Sequence, residues 1–453
     1  MSRPRQGAPA ADRRTGAGGP LDGITVIDLT RALAGPYATQ MMADGGAEVI
    51  KVERPGKGDD SRSWGPPFLE HSVGKRPASE QTATPDAAGR QAAGQEAARL
   101  GPAGQESAYF LSLNRGKRSL ELDLKEPAAI ARLRRLIQGA DVLVENFRPG
   151  VMERLGLSES ELEALNPRLV VLSITGFGEG GPDGHRPGFD QIVQGESGLM
   201  SFTGPVGGPP TKVGVPIGDI LAGMFGAYGV VSALVERNRS GRGQRVSTSL
   251  LGGMVAIHTF QGTRWLLAGD VPAAEGNRHP LIAPYGTFEC SDGDINIAVG
   301  SEGLWRRFAP LVNLDPDEPR FAGNRERVAR VEELEAAMAP ALRAASVDEW
   351  MKRLDSAGIP AGRILSVDEV YASPQVAHLG LIDEVEHPTL GTLRLPGSPL
   401  RYSRSGRRSP TPPPLLGQHN DELDDESVGK AKPWSSSQST STPGERNEDD
   451  DTA

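Results

Sequence analysis

In VGVPIGDILAG one charged residue, Asp219, stands between Lys212 and Glu236 with only uncharged residues on either side. A lone carboxylate at the mouth of an apolar run has two readings. Gly218-Asp219 ahead of Ile220-Leu221 fits a helix start, where a carboxylate accepts backbone N–H bonds. It also fits a covalent nucleophile, because a carboxylate held at a helix start is oriented and kept ionised. The two roles are compatible.

Basic residues recur beside predicted strand ends: Lys51 and Arg54 in KVERPGKGD, Lys117 and Arg118 in LNRGKRSLELDLK, Arg148 and Arg154 in ENFRPGVMERLGL. Ligands of open α/β sheets bind outside the carboxyl ends of strands, and arginine suits phosphate through its planar donor fork. Each residue alone is equally a surface charge; their repetition points to a phosphate-bearing ligand. GFGEGG (Gly176, Gly178, Gly181) satisfies G-x-G-x-x-G, but Pro182, Asp183, Gly184 and Pro187 follow, so no helix opens there to hold a pyrophosphate. It reads as a flexible loop bordering a site. The G-x-S-x-G elbow, the Walker loop and H-E-x-x-H are missing, and His258 in an apolar helical run reads as a core or interface histidine.

The elements that must position these residues read as βαβ units with a mostly parallel sheet. Strands are expected at Ile24–Leu29, Glu48–Val52, Ser119–Leu124, Asp141–Glu145 and Leu169–Ile174. Helices are expected at Pro36–Ala43, Pro127–Gln138, Ile220–Glu236 and Leu250–Ala268. Beyond Pro280 the texture is that of a smaller α+β domain. It has a hairpin turning at Asp292-Gly293, amphipathic helices over Val331–Ala344 and Val347–Ser356, and strands at Gly358–Leu365 and Leu390–Leu395. Residues 71–107 hold almost no large apolar side chains and read as a disordered insertion, and Ser403–Ala453 has a similar texture.

The chain has 453 residues and a formal charge of −10. Residues 421–453 carry ten acids and three bases, so the acidity belongs mostly to the tail. No basic nucleic-acid surface and no apolar run long enough for a bilayer is read, and the single Cys290 excludes an internal disulfide. A cytoplasmic location follows as the expectation. Residues 1–20 read as a flexible leader with no secretory h-region.

Together these segments resemble the class III CoA-transferases, the family of formyl-CoA transferase and carnitine CoA-transferase. The match runs from LDGITVIDLTRALAGPYATQMMADGGAEVIKVERPGKGD through NRGKRSLELDLK, ENFRPGVMERLGL, PGFDQIVQGESGLMSFTG and VGVPIGDILAG to PLLGQHNDEL. The resemblance implies that Asp219 is the nucleophile and that catalysis passes through an aspartyl-CoA thioester. It places Arg54, Leu122, Asp123, Leu124, Lys125, Asn146, Phe147, Arg148 and Arg154 on CoA, and Leu33, Trp64, Phe189 and Asp190 in the substrate pocket. CoA thioester is then a substrate; no permanent cofactor, metal, nucleic acid or membrane partner is expected.

The implied fold is α/β. A Rossmann-like CoA-binding domain spans 21–245, a linker helix 246–280, a small α+β domain 281–385 and a return segment 386–425, with an acidic disordered tail at 426–453. Two chains would interlock as a homodimer. Leu33 replaces the active-site glutamine of formyl-CoA transferase, and GNRHPLIAP stands where that enzyme has a glycine-rich flap. Both departures point away from oxalate or formate and toward a bulkier acyl group. Two rivals stay open: a 2-methylacyl-CoA racemase, although Phe189 replaces the histidine of its GHD motif, and a non-catalytic CoA-binding protein.

Overall fold

The computed structural model describes residues 18–70 and 104–423. The leader up to residue 17, residues 71–103 of the expected insertion and the tail from 424 lie outside the described residues.

The centre is a six-stranded sheet. In chain order the N-terminal strands are β1 (Thr25–Asp28), β2 (Glu48–Glu53), β3 (Phe68–Glu70), β4 (Gln105–Ser107), β5 (Lys117–Glu121), β6 (Val142–Glu145), β7 (Val170–Thr175) and β8 (Arg245–Ser249). The sheet order is β5-β2-β1-β6-β7-β8, and every neighbouring pair is parallel. Parallel sheets are covered on both faces, so their strands are apolar on both sides. Val26, Val49, Val142 and Val170 face one core, with helices Ala34–Asp44 and Ile217–Ser240. Their chain neighbours Ile27, Ile50, Leu143 and Val171 face the other, with helices Pro127–Gly139 and Glu159–Leu165.

Helix Ile217–Ser240 is long and apolar enough to cross a membrane by length and composition alone, contrary to the expectation of no such run. It is built into the fold by contact. A side chain at Gly223 would approach the Ala34 carbonyl to 2.7 Å, so the two helices cross with almost no space between them. Buried Ala222, Ala227 and Val230 continue that face onto the sheet.

The second unit has a three-stranded antiparallel sheet, β11-β10-β9, formed by β9 (Tyr285–Glu289), β10 (Asp294–Ala298) and β11 (Ala361–Arg363). Trp305, Phe308 and Trp350 fill its core. The hairpin of β12 (Ile382–His387) and β13 (Gly391–Pro396) packs Val385, Leu393 and Leu395 on Leu111 of the first unit. The expected boundary at 385 therefore falls inside β12, and the whole hairpin belongs to the return segment. The boundary at 245 likewise moves to Ser249, because β8 is a strand of the central sheet. Further on, Gly417 N–H donates to Ser119 Oγ at 2.9 Å and Glu121 N–H donates to Asn420 Oδ1 at 2.8 Å. Residues 411–423 thus lie along β5, the outer strand, with Leu423 fully buried.

Two local expectations differ. Leu250–Ala268 is two helices, Leu250–Ala256 and Thr259–Ala268, broken where Thr259 takes a φ of +43°. Residues 105–107, assigned by composition to the insertion, form β4 against β3. Composition averaged over the segment hid the alternation of Glu106 and Ser107 into buried polar contacts.

Candidate active site

The strand order reverses between β1 and β6, the switch point where open α/β sheets bind ligands beyond their carboxyl ends. There Arg31 N–H donates to Asn146 Oδ1 at 3.0 Å, and Asn146 Nδ2 donates to the Arg31 carbonyl at 2.8 Å. The Asn146 amide thus ties the two loops together. Its neighbour Ala32 has a φ of +69°, and its N–H reaches Asp59 Oδ1 at 3.1 Å.

A cleft of about 810 Å³ opens at this point. It gathers Leu33, Trp64, Asn146, Phe147, Arg148, Phe189, Asp190 and Asp219, which the sequence had scattered over nearly two hundred positions. Arg54 and Leu122 to Lys125 line an adjoining pocket of about 210 Å³. Arg31 and Phe147 line both, so the two spaces share a wall. Arg154 lines neither; it is exposed on the short helix Val151–Arg154. Arg148 lines the large cleft but not the smaller pocket with Arg54.

Asp219 is the third residue of helix Ile217–Ser240 and is not its cap. The cap position is Pro216, which has no capping side chain. Asp190 supplies the missing acceptor: Gly218 N–H donates to its Oδ1 at 2.8 Å. The Asp219 carboxylate, half-buried, accepts no hydrogen bond from a described residue. Burial first, and the charge of Asp190 second, push its pKa up from 3.8 to about 7. A helix N-terminus favours an anion by roughly 0.3–1 kcal/mol, less than one pKa unit, so desolvation outweighs it. Burial thus opposes the helix-start effect expected to keep this carboxylate ionised.

The glycines around Asp219 serve packing. A side chain at Gly218 would meet Met254 Cε at 1.9 Å, so the methionine now packed beneath the first turn would have to move.

Lys51 and Lys117 do not face a ligand. Both are buried: Lys51 pairs with Asp59 at 2.8 Å and Lys117 with Asp28 at 3.2 Å. Desolvation lowers Lys117 to about 8, while the two lysines and two threonine hydroxyls hold Asp28 well below the usual carboxylate range despite its burial. Sequence spacing shows a lysine near a strand end but not the acid that another strand places against it. Arg118 is likewise occupied, by Glu48 at 2.7 Å and Glu422 at 2.9 Å.

Tyr109 was missed. Its ring meets Trp64 edge to face at 5.1 Å, and it lines the cleft with Asp219. Burial, then the carboxylates of Asp219, Asp190 and Asp59, push its phenol up to about 12, so it stays a donor. The signal was the AYF that follows the insertion, legible only once β3 and β4 are paired. The glycine loop after β7 opens no helix until Asp190, and its residues Gly184 to Gly188 form one cleft wall.

The model of "CoA-transferase family III" matches residues 21–420. The succinyl-CoA:glutarate CoA-transferase of Mus musculus is 37% identical over 88% of this chain and 84% of its own length. The succinate–glutarate CoA-transferase of Agrobacterium fabrum is 38% identical over 89% and 94%. The acetyl-CoA:oxalate CoA-transferase of Acetobacter aceti is 36% identical over 85% and 90%. A crystal structure of a CAIB/BAIF family protein from Brucella suis superposes with a TM-score of 0.75 at 35% identity, covering 90% of this chain and 99% of that one.

Proposed function

The chain belongs to CoA-transferase family III and is an enzyme moving CoA between an acyl-CoA and an acid, and from that premise we propose that Asp219 is its covalent nucleophile. The supporting observation is a half-buried carboxylate without a hydrogen-bond partner among the described residues, on the wall of a cleft that adjoins the Arg54–Lys125 pocket. That setting suits a group that must shed water before attacking and shield reactive acyl products afterwards.

The proposed sequence has four displacements. An Asp219 oxygen attacks the donor thioester carbonyl, forming an acyl-aspartyl anhydride and releasing CoA thiolate. The thiolate attacks Cγ of Asp219, giving the aspartyl-CoA thioester and the free donor acid. An acceptor carboxylate attacks the same Cγ and frees the thiolate again. The thiolate takes the acceptor acyl group, and Asp219 returns as a carboxylate. No net proton is consumed. The phenol of Tyr109, on the same cleft wall, is the donor proposed for the developing oxyanions.

Arg54 and Lys125 are proposed to hold the phosphates of CoA, with Leu122, Asp123, Leu124 and Phe147 lining its path. Asn146 shapes that path through its clamp on Arg31. Donor and acceptor are proposed to be short dicarboxylates, as the names of the mouse and Agrobacterium relatives say of those proteins. Cationic side chains line the cleft, and Arg148 makes no ion pair with a described residue. We further propose that the sheet works as a Rossmann-like CoA platform, that no resident cofactor is needed, and that the enzyme is a cytoplasmic homodimer without nucleic-acid or membrane partners. An exposed apolar stripe on helix Ile217–Ser240 supports the dimer: Met224, Tyr228, Val231 and Val235.

The test uses succinyl-CoA, glutarate and hydroxylamine. Peptide mass spectrometry is expected to find a hydroxamate on Asp219, and Asp219→Ala to abolish transfer while CoA still binds. Wild-type transfer by Asp219→Ala would sink the assignment.

A further inference from the structure

Helix Ile217–Ser240 must present Asp219 from its first turn, yet neither Pro216 nor any other residue of its own start caps it. The support comes from helix Asp190–Glu196. Asp190 Oδ1 accepts Gly218 N–H at 2.8 Å. Asp190 Oδ2 accepts Gln194 Nε2 at 2.7 Å. Gln194 Oε1 accepts Val213 N–H at 2.9 Å. Both side-chain oxygens of Asp190 and both ends of the Gln194 amide are used, and Gln194 is fully buried.

We propose that Asp190 and Gln194 form a positioning brace for the nucleophile, clamping the loop 213–218 at both ends so that Asp219 meets the thioester carbon in one orientation. This rests on Asp219 being the nucleophile. Asp190 is then no substrate contact, despite its place on the cleft wall. The geometry carries a second consequence. A brace made with an amide acceptor would position Asp219 equally well, but the carboxylate also sets a negative charge beside the nucleophile. The other charged or titratable groups lining this cleft are Arg31, Asp60, Tyr109, Arg148, His185 and Arg186. Arg31 is engaged by Asp60 at 3.1 Å, and Arg186 is held by Glu196. Asp190 alone adds a like charge to Asp219 strongly enough to act on its titration.

The hydrogen-bond pattern permits a swap. Asp190→Asn alone sets an amide N–H₂ against the N–H₂ of Gln194, and Gln194→Glu alone sets two carboxylates head to head. Together they restore all three bonds, with the amide donating to the new carboxylate and the Gly218 and Val213 N–H groups keeping oxygen acceptors.

The experiment is a double-mutant cycle on the full chain with succinyl-CoA and glutarate, reading kcat, KM and the rate of hydroxamate formation on Asp219. Each single variant is expected to lose about 10- to 100-fold in kcat, with KM for the acyl-CoA little changed. The double variant is expected to recover most of that loss. With its charge moved four residues along the helix, off the side chain that touches Gly218, its kcat/KM is also expected to reach the plateau at lower pH than wild type. Circular dichroism and CoA binding of each variant separate misplacement from misfolding. Wild-type labelling of Asp219 with no recovery in the double variant overturns the brace alone. Absence of labelling in the wild type overturns the nucleophile assignment, and the brace with it.

Discussion

Trp64 and Tyr109 meet edge to face at 5.1 Å although residues 71–103 lie between them in the chain. The pairing of Phe68–Glu70 with Gln105–Ser107 closes that excursion, and Ser107 Oγ donates to the Trp64 carbonyl. The excursion therefore leaves and returns at one hairpin on the cleft rim. Replacing 71–104 by a two-residue turn between the paired Glu70 and Gln105 is expected to leave kcat/KM within about threefold, since a hairpin needs no more than such a turn. Removing 71–107 is expected to abolish soluble expression or activity, because it takes away Glu106 and Ser107. Paired kinetic and solubility measurements check both.

The titration of Asp219 has a defined sign. Its folded pKa of about 7 exceeds the ordinary 3.8, so the folded protein binds that proton more tightly than the unfolded chain. Its charge therefore costs stability progressively as pH rises from about 4 to about 7, and fully above. Asp219→Asn is expected to be more stable than wild type at pH 8, by no more than about 4 kcal/mol at 1.4 kcal/mol per unit. The advantage disappears at pH 4. Denaturant unfolding at the two pH values measures it, and equal stabilities at pH 8 refute it. In wild-type enzyme, kcat/KM should climb through an acid limb near pH 7.

Arg62 carries a second prediction. It is almost wholly buried and donates to both oxygens of Glu53, at 2.8 and 2.9 Å, and to the Pro414 carbonyl at 3.0 Å. It pairs with Glu106 at 3.3 Å and lies 3.6 Å over the Phe110 ring. Burial raises Glu106 to about 7, with the charge of Glu53 adding and Arg62 opposing, so this carboxyl depends on the guanidinium. Arg62→Met leaves two buried acids facing one another and is expected to cost about 3–5 kcal/mol. Urea denaturation reads the loss; a change below about 1 kcal/mol contradicts the account.

Besides the apolar stripe on helix Ile217–Ser240, helix Thr259–Ala268 exposes Trp265, Leu266 and Leu267. Wild-type protein is expected to sediment at twice the 48.0 kDa chain mass. Tyr228→Arg combined with Leu267→Asp is expected to give monomers with impaired transfer. A wild-type monomer at micromolar concentration would discard the dimer.

Much of this was legible from periodicity. Val26-Ile27, Val49-Ile50 and Val142-Leu143 are apolar on both faces, which only a covered parallel sheet explains. Asp219 was singled out by its isolation, and family resemblance gave it a role. What stayed hidden depends on contacts between distant segments. Lys51 and Lys117 looked available because Asp59 and Asp28 reach them from other loops and strands. The bond from the Gly218 N–H to Asp190 exists only in three dimensions, so no spacing in the chain announced it. The acidity of Asp219 was misjudged for the same reason: local grammar supplies the helix dipole but not the burial that opposes it.

The return of residues 411–423 along β5 sets an order of events during synthesis. The outward backbone N–H groups of Ser119 and Glu121 find their partners in His419 and Asn420, after the entire small unit has been translated. Until then a nascent chain carries a strand edge with bare backbone groups, the surface most prone to pairing with a stranger. The sheet unit, translated before the small one, is thus the later of the two to close, and its margin against misassembly is set by how quickly residues 411–423 arrive.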